Sequence, residues 1–467
     1  MSSDKVQERQ DGETRKKGCG CVLPLALTAF LLVALPVVFY LIFTTRAARL
    51  VEAELAKIRA AGEPATAEEL DDYYEYPHID EDATQLWLAA IRPLDGEEYD
   101  NSCGELPIVG YSEEEKTIPP PGQRWEDQEA VEEFLAKYAD SLDLMHQAAE
   151  KGGAARYQLE FSEGWGMLLP HVTSYRAAAH ILSLQAHVRA HRGDVGGAAE
   201  SIRTIFSLGE SVKEEPVLVS QLVRIAVDNM ACDLLCDLLP HSEFSDEELA
   251  AFRADIQAID NDAALQRAMV GERALTTNMF LNPASLDDFD MSVVSHLGPR
   301  NDDLVLYLQF MNDYLAASRK PWPRRLDDTE AVEEHIQTSQ AAGINRFRYI
   351  LTFLTTPAIG ATVGAFATNE ATIRATDAAL AVEQFSRKNG SLPETLDELV
   401  PEFLDEVPLD PFDGKPLRYS RRDNACIIHS IGKDRVDDGG QIIEENNEFG
   451  DYVDNPDIIF SVEGVKK

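Results

Sequence analysis

The sequence predicts a mainly α-helical protein: an N-terminal transmembrane helix, an extracytoplasmic body of helical hairpins, and a small C-terminal α+β module with a short antiparallel sheet. Three observations predict it. The stretch from Cys21 to Phe43 has no charged residue and is long enough to cross a bilayer. Apolar residues at helical spacing, interrupted by helix caps, recur between residues 127 and 387. Strand signals are almost absent until Leu417, after which LRYS, ACIIHSI and DIIFSV follow. The implied division is a cytoplasmic tail over 1–20, a transmembrane helix over 21–43, a helical domain over 44–365 and an α+β module over 366–467.

The anchor comes first. At 1.5 Å rise per residue, CVLPLALTAFLLVALPVVFYLIF outspans a hydrocarbon core of roughly 30 Å. A cleaved signal peptide has a shorter apolar core and a small-residue cleavage site, so an uncleaved anchor is expected. Arg15, Lys16 and Lys17 precede the run, Arg46 and Arg49 follow it, and strongly acidic sequence comes next. The positive-inside tendency places the N-terminus in the cytoplasm and the body outside a bacterial inner membrane.

The helix is expected to continue from Arg46 to about Ala61 and to stop at Gly62 and Pro64. Thr66 and Glu69 match a capping box for a short helix, residues 93–124 are rich in proline and glycine and read as loop, and helical periodicity returns over Asp127–Lys151. Ser174–Val212 reads as a helical hairpin turning at Gly193 with Asp194 as the next cap. Glu215–Leu239 reads as a helix with Pro216 in its first turn, and Ser245 with Glu248 opens another through a capping box. The hairpins resemble tetratricopeptide-like architecture without its 34-residue period. A helix is expected at Leu304–Leu315 within an otherwise irregular 284–330. Tyr349–Asn369 is uncharged but holds Pro357, two glycines and five threonines, so it reads as a core helix broken at proline. A second span there would return the C-terminal module to the cytoplasm.

Charge narrows the partners. The chain holds 82 acidic against 42 basic residues, a net charge of −40 that lies essentially beyond residue 20. Such a field repels nucleic acid and favours cations or basic partners. The six cysteines include no CxxC pair, which removes a zinc ribbon or thioredoxin-type motif. Cys232 and Cys236, four apart in a helical pattern, read as packing residues.

Three constellations are candidates for chemistry. His180, His187 and His191 share a helix face on which HxxxH spacing suits two zinc ligands; with no HExxH glutamate and with Arg189 and Arg192 among them, a half-buried packing face is the expected reading. Glu160, Glu163, Trp165 and His171 lie in LEFSEGWGMLLPH, where two carboxylates beside a tryptophan could serve a glycan hydrolase as acid and base. The third is the acidic glycine loop near the C-terminus.

That loop belongs to the one segment with a family resemblance. After the helix Asn369–Arg387, the chain shows NG-x-LP, L-x-x-LVP, VP-x-DPF-x-G-x-P-x-x-Y and S-x-G-x-D in order. This series resembles the C-terminal domain of the major pseudopilin of type II secretion. The resemblance covers about 369–460 and implies a helix packed on a small antiparallel sheet, with a calcium-binding loop. Asp434 matches the aspartate after Ser-x-Gly and Asp457 the one before the final strand, with Asp437 and Asp438 adding carboxylates; together they form the expected metal site for Ca2+. Gly18 and Gly20 each precede a cysteine where a pseudopilin carries its processing site, and over 300 residues separate anchor from module. The resemblance therefore implies a reused module, not a filament subunit. The whole arrangement also resembles membrane-anchored proteins of planctomycete-type bacteria, which implies no activity.

The expected function is that of a membrane-anchored structural or interaction protein of the envelope, associated with secretion, without defined catalysis and binding other envelope proteins. The alternatives are a glycan hydrolase centred on 160–171 and a cation- or peptide-binding receptor.

Overall fold

The computed structural model describes residues 22–74, 81–110, 116–281, 300–341, 348–422, 425–440 and 458–463. The helices are α1 (Val22–Ala60), α2 (Leu70–Tyr73), α3 (Glu81–Ile91), α4 (Glu97–Cys103), α5 (Gln128–Lys137), α6 (Ala139–Lys151), α7 (Pro170–His191) and α8 (Val195–Ser211). They continue with α9 (Leu218–Leu238), α10 (Asp246–Gln257), α11 (Asn261–Leu281), α12 (Asn301–Ser318), α13 (Arg324–Ala341), α14 (Ile350–Thr355) and α15 (Pro357–Asn389). The protein is mainly helical, and strands β1 (Arg418–Arg422), β2 (Ala425–Ser430) and β3 (Ile458–Glu463) form one antiparallel sheet in that order.

α1 holds the uncharged run in its first half and docks with its second. Ala47, Val51, Leu55 and Ile58 repeat at helical spacing and are buried against α12. The helix stops where expected, at Gly62, whose φ of +77° is open to a residue without Cβ. The expected capping box at Thr66 does not form. Glu69 instead accepts from the Ala65 amide at 2.9 Å and pairs with Arg59, tying the turn back onto α1. Residues 93–124 are not all loop: α4 forms because Tyr99 and Cys103, one turn apart, bury together, and the Tyr99 ring meets those of Phe134 and Tyr138 at 6.1 and 5.4 Å.

The hairpin of α7 and α8 turns as predicted. Gly193 takes a φ of +75°, and Asp194 accepts from the Gly197 amide at 3.0 Å. α9 starts two residues after Pro216, whose carbonyl oxygen lies 1.6 Å from where a Cβ on Gly271 would sit. Only glycine permits that approach of α11. The capping box of α10 is complete: Ser245 and Glu248 exchange side-chain-to-amide bonds of 3.2 and 2.6 Å. Residues 349–369 and 369–387 do not form two separate helices. The chain breaks at Thr356–Pro357, and α15 then runs unbroken past Asn369, whose amide donates to the Ile225 carbonyl and Asn229 at 3.2 and 2.8 Å. Across that break, the segment Ile350–Asn389 is long and apolar enough to cross a membrane by length and composition, and 56% of its most apolar window is buried inside the body.

The C-terminal module follows directly. Gly390, left-handed at φ +70°, closes α15. A single 3-10 turn, Leu396–Leu399, buries both leucines, and Ile428 pairs with Tyr419 and Phe460 across the sheet. Ile428 and Phe460 share one core with Leu182, Ile202 and Leu235 of the hairpins. The boundary expected between 365 and 366 falls inside α15, and that core is continuous across it. A second core gathers α1, α11, α12 and the start of α15.

Helix directions around that second core define the ends of the body. Glu63, just past α1, accepts from Arg319, just past α12, and from Arg273 of α11, both at 2.7 Å. α1 and α12 therefore end together and run parallel. α11 runs against them: Phe280 meets Tyr307 early in α12 at 5.2 Å, while Arg273 reaches Asn312 at 3.2 Å. Asp303 caps α14 by accepting from the Leu351 and Thr352 amides at 3.2 Å each. The exit of α1, the end of α11 and α14 thus lie at one end of the body.

Candidate functional site

A concave site lies on the hairpins. α6 and α10 flank α8 and leave a groove of about 960 Å³, lined by Asp143, His146, Glu150, Glu200, Glu247 and Glu248, with Arg189 and Arg203. Both guanidiniums are already engaged. Arg189 donates to the Gly197 carbonyl at 2.7 Å and to Glu200 at 2.9 Å; Arg203 binds Asp255 through two bonds of 2.6 and 3.1 Å. His146 sits between Thr204 and Gln185, each at 2.8 Å, and burial lowers its pKa, favouring the neutral ring. Five carboxylates against two arginines leave the groove acidic, with hydrogen-bonding groups at its floor. Its field is negative and favours cations over anions.

A second polar centre is sealed in the core. His171 Nε2 lies 2.9 and 3.1 Å from the two carboxylate oxygens of Glu215, and both residues are buried. The Tyr157 ring stacks on the imidazole at 4.1 Å and 8°. Its hydroxyl bonds that of Tyr175, which in turn bonds Ser211 at 2.7 Å. Removed from solvent, this chain of partners ties the 157–175 passage to the start of α9 and to Tyr74, whose hydroxyl reaches Glu215 at 3.5 Å.

The glycan-hydrolase constellation is not assembled. Glu160 and Glu163 are exposed while His171 points inward to Glu215. Trp165 is 42% exposed, and its indole donates to Thr276 at 3.2 Å. Glu215 itself went unnoticed because nothing local in EEPVL sets it apart from its acidic neighbours. The histidines of α7 also diverge. Burial and then Arg176 push His180 down to about 4; burial and then His191 push His187 down to about 4. His191 bonds the Pro119 carbonyl at 2.8 Å and lies against Trp125 at 5.1 Å. Among the described residues, no three histidine, cysteine, aspartate or glutamate side chains come together as a metal site.

In the C-terminal loop, Asp434 accepts from the Val436 amide at 2.9 Å. Asp437 accepts from the Gly439 amide at 3.0 Å and from His429 at 3.1 Å, with Arg418 at 3.5 Å. The His429 bond first, then the Gly439 amide and the charges of His429 and Arg418, hold Asp437 below the usual carboxylate range. Asp438 is half-buried beside it, and Asp457 lies outside the described residues. The carboxylate that organises the module is Asp410. Fully buried, it accepts from the Phe412 amide at 3.0 Å, from the Ile431 amide and Ser430 hydroxyl at 2.9 Å each, and from Arg418 at 2.8 Å. Its signal in the sequence was the DPFDG turn, which showed the bend but not the long-range partners.

No family model, curated protein or solved structure matches this chain. A functional reading therefore rests on α1, the acidic groove and the chemistry of their residues.

Proposed function

We propose that this chain is a single-pass, membrane-anchored structural or interaction protein of the bacterial envelope, with its N-terminus in the cytoplasm and its body outside. The observation that carries the proposal is α1. One uninterrupted helix is buried in the body at Ala47, Val51, Leu55 and Ile58, yet leaves Phe30, Leu32, Leu35 and Ile42 between 61% and 75% exposed. Each large apolar side chain left in water forgoes about 1.5–3 kcal/mol of transfer free energy. A bilayer core supplies the surroundings that the body does not.

In this reading the groove over α8 is the face offered to partners. Its five carboxylates and the net charge of −40 favour a basic segment of another envelope protein and disfavour nucleic acid. The receptor reading draws on the same groove. The resemblance of the C-terminal module to a pseudopilin domain supports an association with secretion. Calcium at Asp434, Asp437, Asp438 and Asp457 belongs to the same proposal. Asp434 and Asp438 offer carboxylates near one turn, and Asp437 would exchange His429 and Arg418 for the ion. Millimolar calcium is then expected to raise Tm, and Asp434→Ala to abolish the rise.

Alkaline extraction of membranes, followed by protease treatment of spheroplasts, tests the anchor. The full chain is expected to stay with the membrane and its body to be digested from outside. Release by alkali, or protection of the body from protease, overturns the proposal.

A further inference from the structure

We propose that the end of the body from which α1 emerges is itself a lipid-contacting surface, resting in the headgroup layer of the bilayer that α1 enters; this rests on the membrane-anchor reading above. The helix directions place its parts. Because α1 and α12 end together at the Glu63–Arg319 pair, positions equally far back along each helix lie at a similar level. Ala47 and Asp303 are each 16 residues before that pair, about 20–24 Å at helical rise. Asp303 caps α14, and antiparallel α11 brings Leu281 to the same end.

What this end presents fits a bilayer surface. Leu354 of α14 is 58% exposed there, and Leu281 at the end of α11 is 39% exposed. Apolar side chains exposed where a spanning helix leaves its body suit the interfacial layer of a bilayer. Basic groups accompany them in a strongly acidic protein. Arg46 is exposed on α1 just beyond the uncharged run. Arg348 stacks over Tyr349 at 5.1 Å and holds Asp302 at 2.6 Å, which neutralises a carboxylate that would otherwise face the lipid. Long arginine side chains reach headgroup phosphates while their stems remain in apolar surroundings. The distal end is different: Arg435 pairs there with Asp327 and Glu330, and Val436 stands among charges.

The full chain, reconstituted in vesicles of phosphatidylethanolamine and phosphatidylglycerol, tests this with a photo-crosslinking benzoylphenylalanine introduced singly at Leu35, Leu354 or Val436. All three positions are at least 50% exposed, so each tolerates the probe. Lipid adducts are expected at Leu35 and Leu354 and not at Val436. Adducts at Leu35 with none at Leu354, or adducts at Val436 as strong as at Leu354, overturn the lipid-contacting surface while leaving the anchor standing. Absence of adducts at Leu35 overturns the anchor and this inference with it.

Discussion

Glu63 joins the end of α1 to the end of α12: one carboxylate oxygen accepts from Arg319 and the other from Arg273, each at 2.7 Å. Arg273 is buried at 2% exposure, so its charge depends on that carboxylate and on Asn312. Glu63→Ala strands it. The expected loss is roughly 3 kcal/mol, read as a lower denaturation midpoint. Arg319→Ala, at an exposed partner, is expected to cost under about 1 kcal/mol. Equal effects of the two variants would contradict this division.

Stability is expected to fall on the acid side through α7. The unfolded histidine titrates near 6.5, whereas His180 and His187 are held near 4 in the fold. Between those values the unfolded chain binds more protons, so stability rises with pH and is lost as pH falls from about 6.5 toward 4. His187→Leu is expected to flatten that limb in a series of Tm values from pH 4.5 to 7. Asp228 works in the opposite sense. Burial, against the pull of Arg224, raises it to about 7, so its contribution to stability declines as pH rises from about 4 to 7, and Asp228→Asn removes that decline.

Asp410 holds the turn before the sheet to the end of β2 through four hydrogen bonds. Asp410→Ala leaves two buried amides and the Ser430 hydroxyl without their acceptor, while Arg418 keeps Asp413. A cost on the order of 3 kcal/mol is expected, with faster hydrogen exchange at the Phe412 and Ile431 amides. Unchanged exchange at these amides would show that the turn is held by something else.

Binding of a basic peptide in the groove is expected to weaken with salt and with charge reversal. Glu150→Lys and Glu247→Lys, both on the groove wall, are each expected to lower affinity for octalysine about tenfold, equivalent to about 1.4 kcal/mol. Calorimetry at two salt concentrations reads this. Identical affinities for the parent and both variants would remove the groove as a cation site.

Much of the fold was legible because its signals are local. Gly62, Gly193 and Gly390 each end a helix with positive φ, and Ser245 with Glu248 and Asp194 cap as their spacing implies. Three short strands appear after Leu417. Errors arose where tertiary partners override local preference. Asn369 resembles a helix boundary in sequence, yet its amide is satisfied by α9 and α11 and the helix continues. Glu69 has the spacing of a cap and is claimed by Arg59 instead.

The candidate site was less legible. His171 stood out by its company in the chain, but its partner Glu215 is 44 residues away. The groove has no motif at all, since α6, α8 and α10 supply its walls from separate stretches. The sequence by itself determined the helical class, the uncharged N-terminal run, the acidic field and the order of elements in the C-terminal module, because these depend on composition and on neighbours a few residues apart. Only the tertiary structure decided which charges are buried together, which helix ends share one face with the exit of α1, and where the carboxylates form a concave surface. Those outcomes depend on packing between segments far apart in the chain, where a side chain's partner is chosen by the space it occupies and by the cost of leaving a buried polar group unsatisfied.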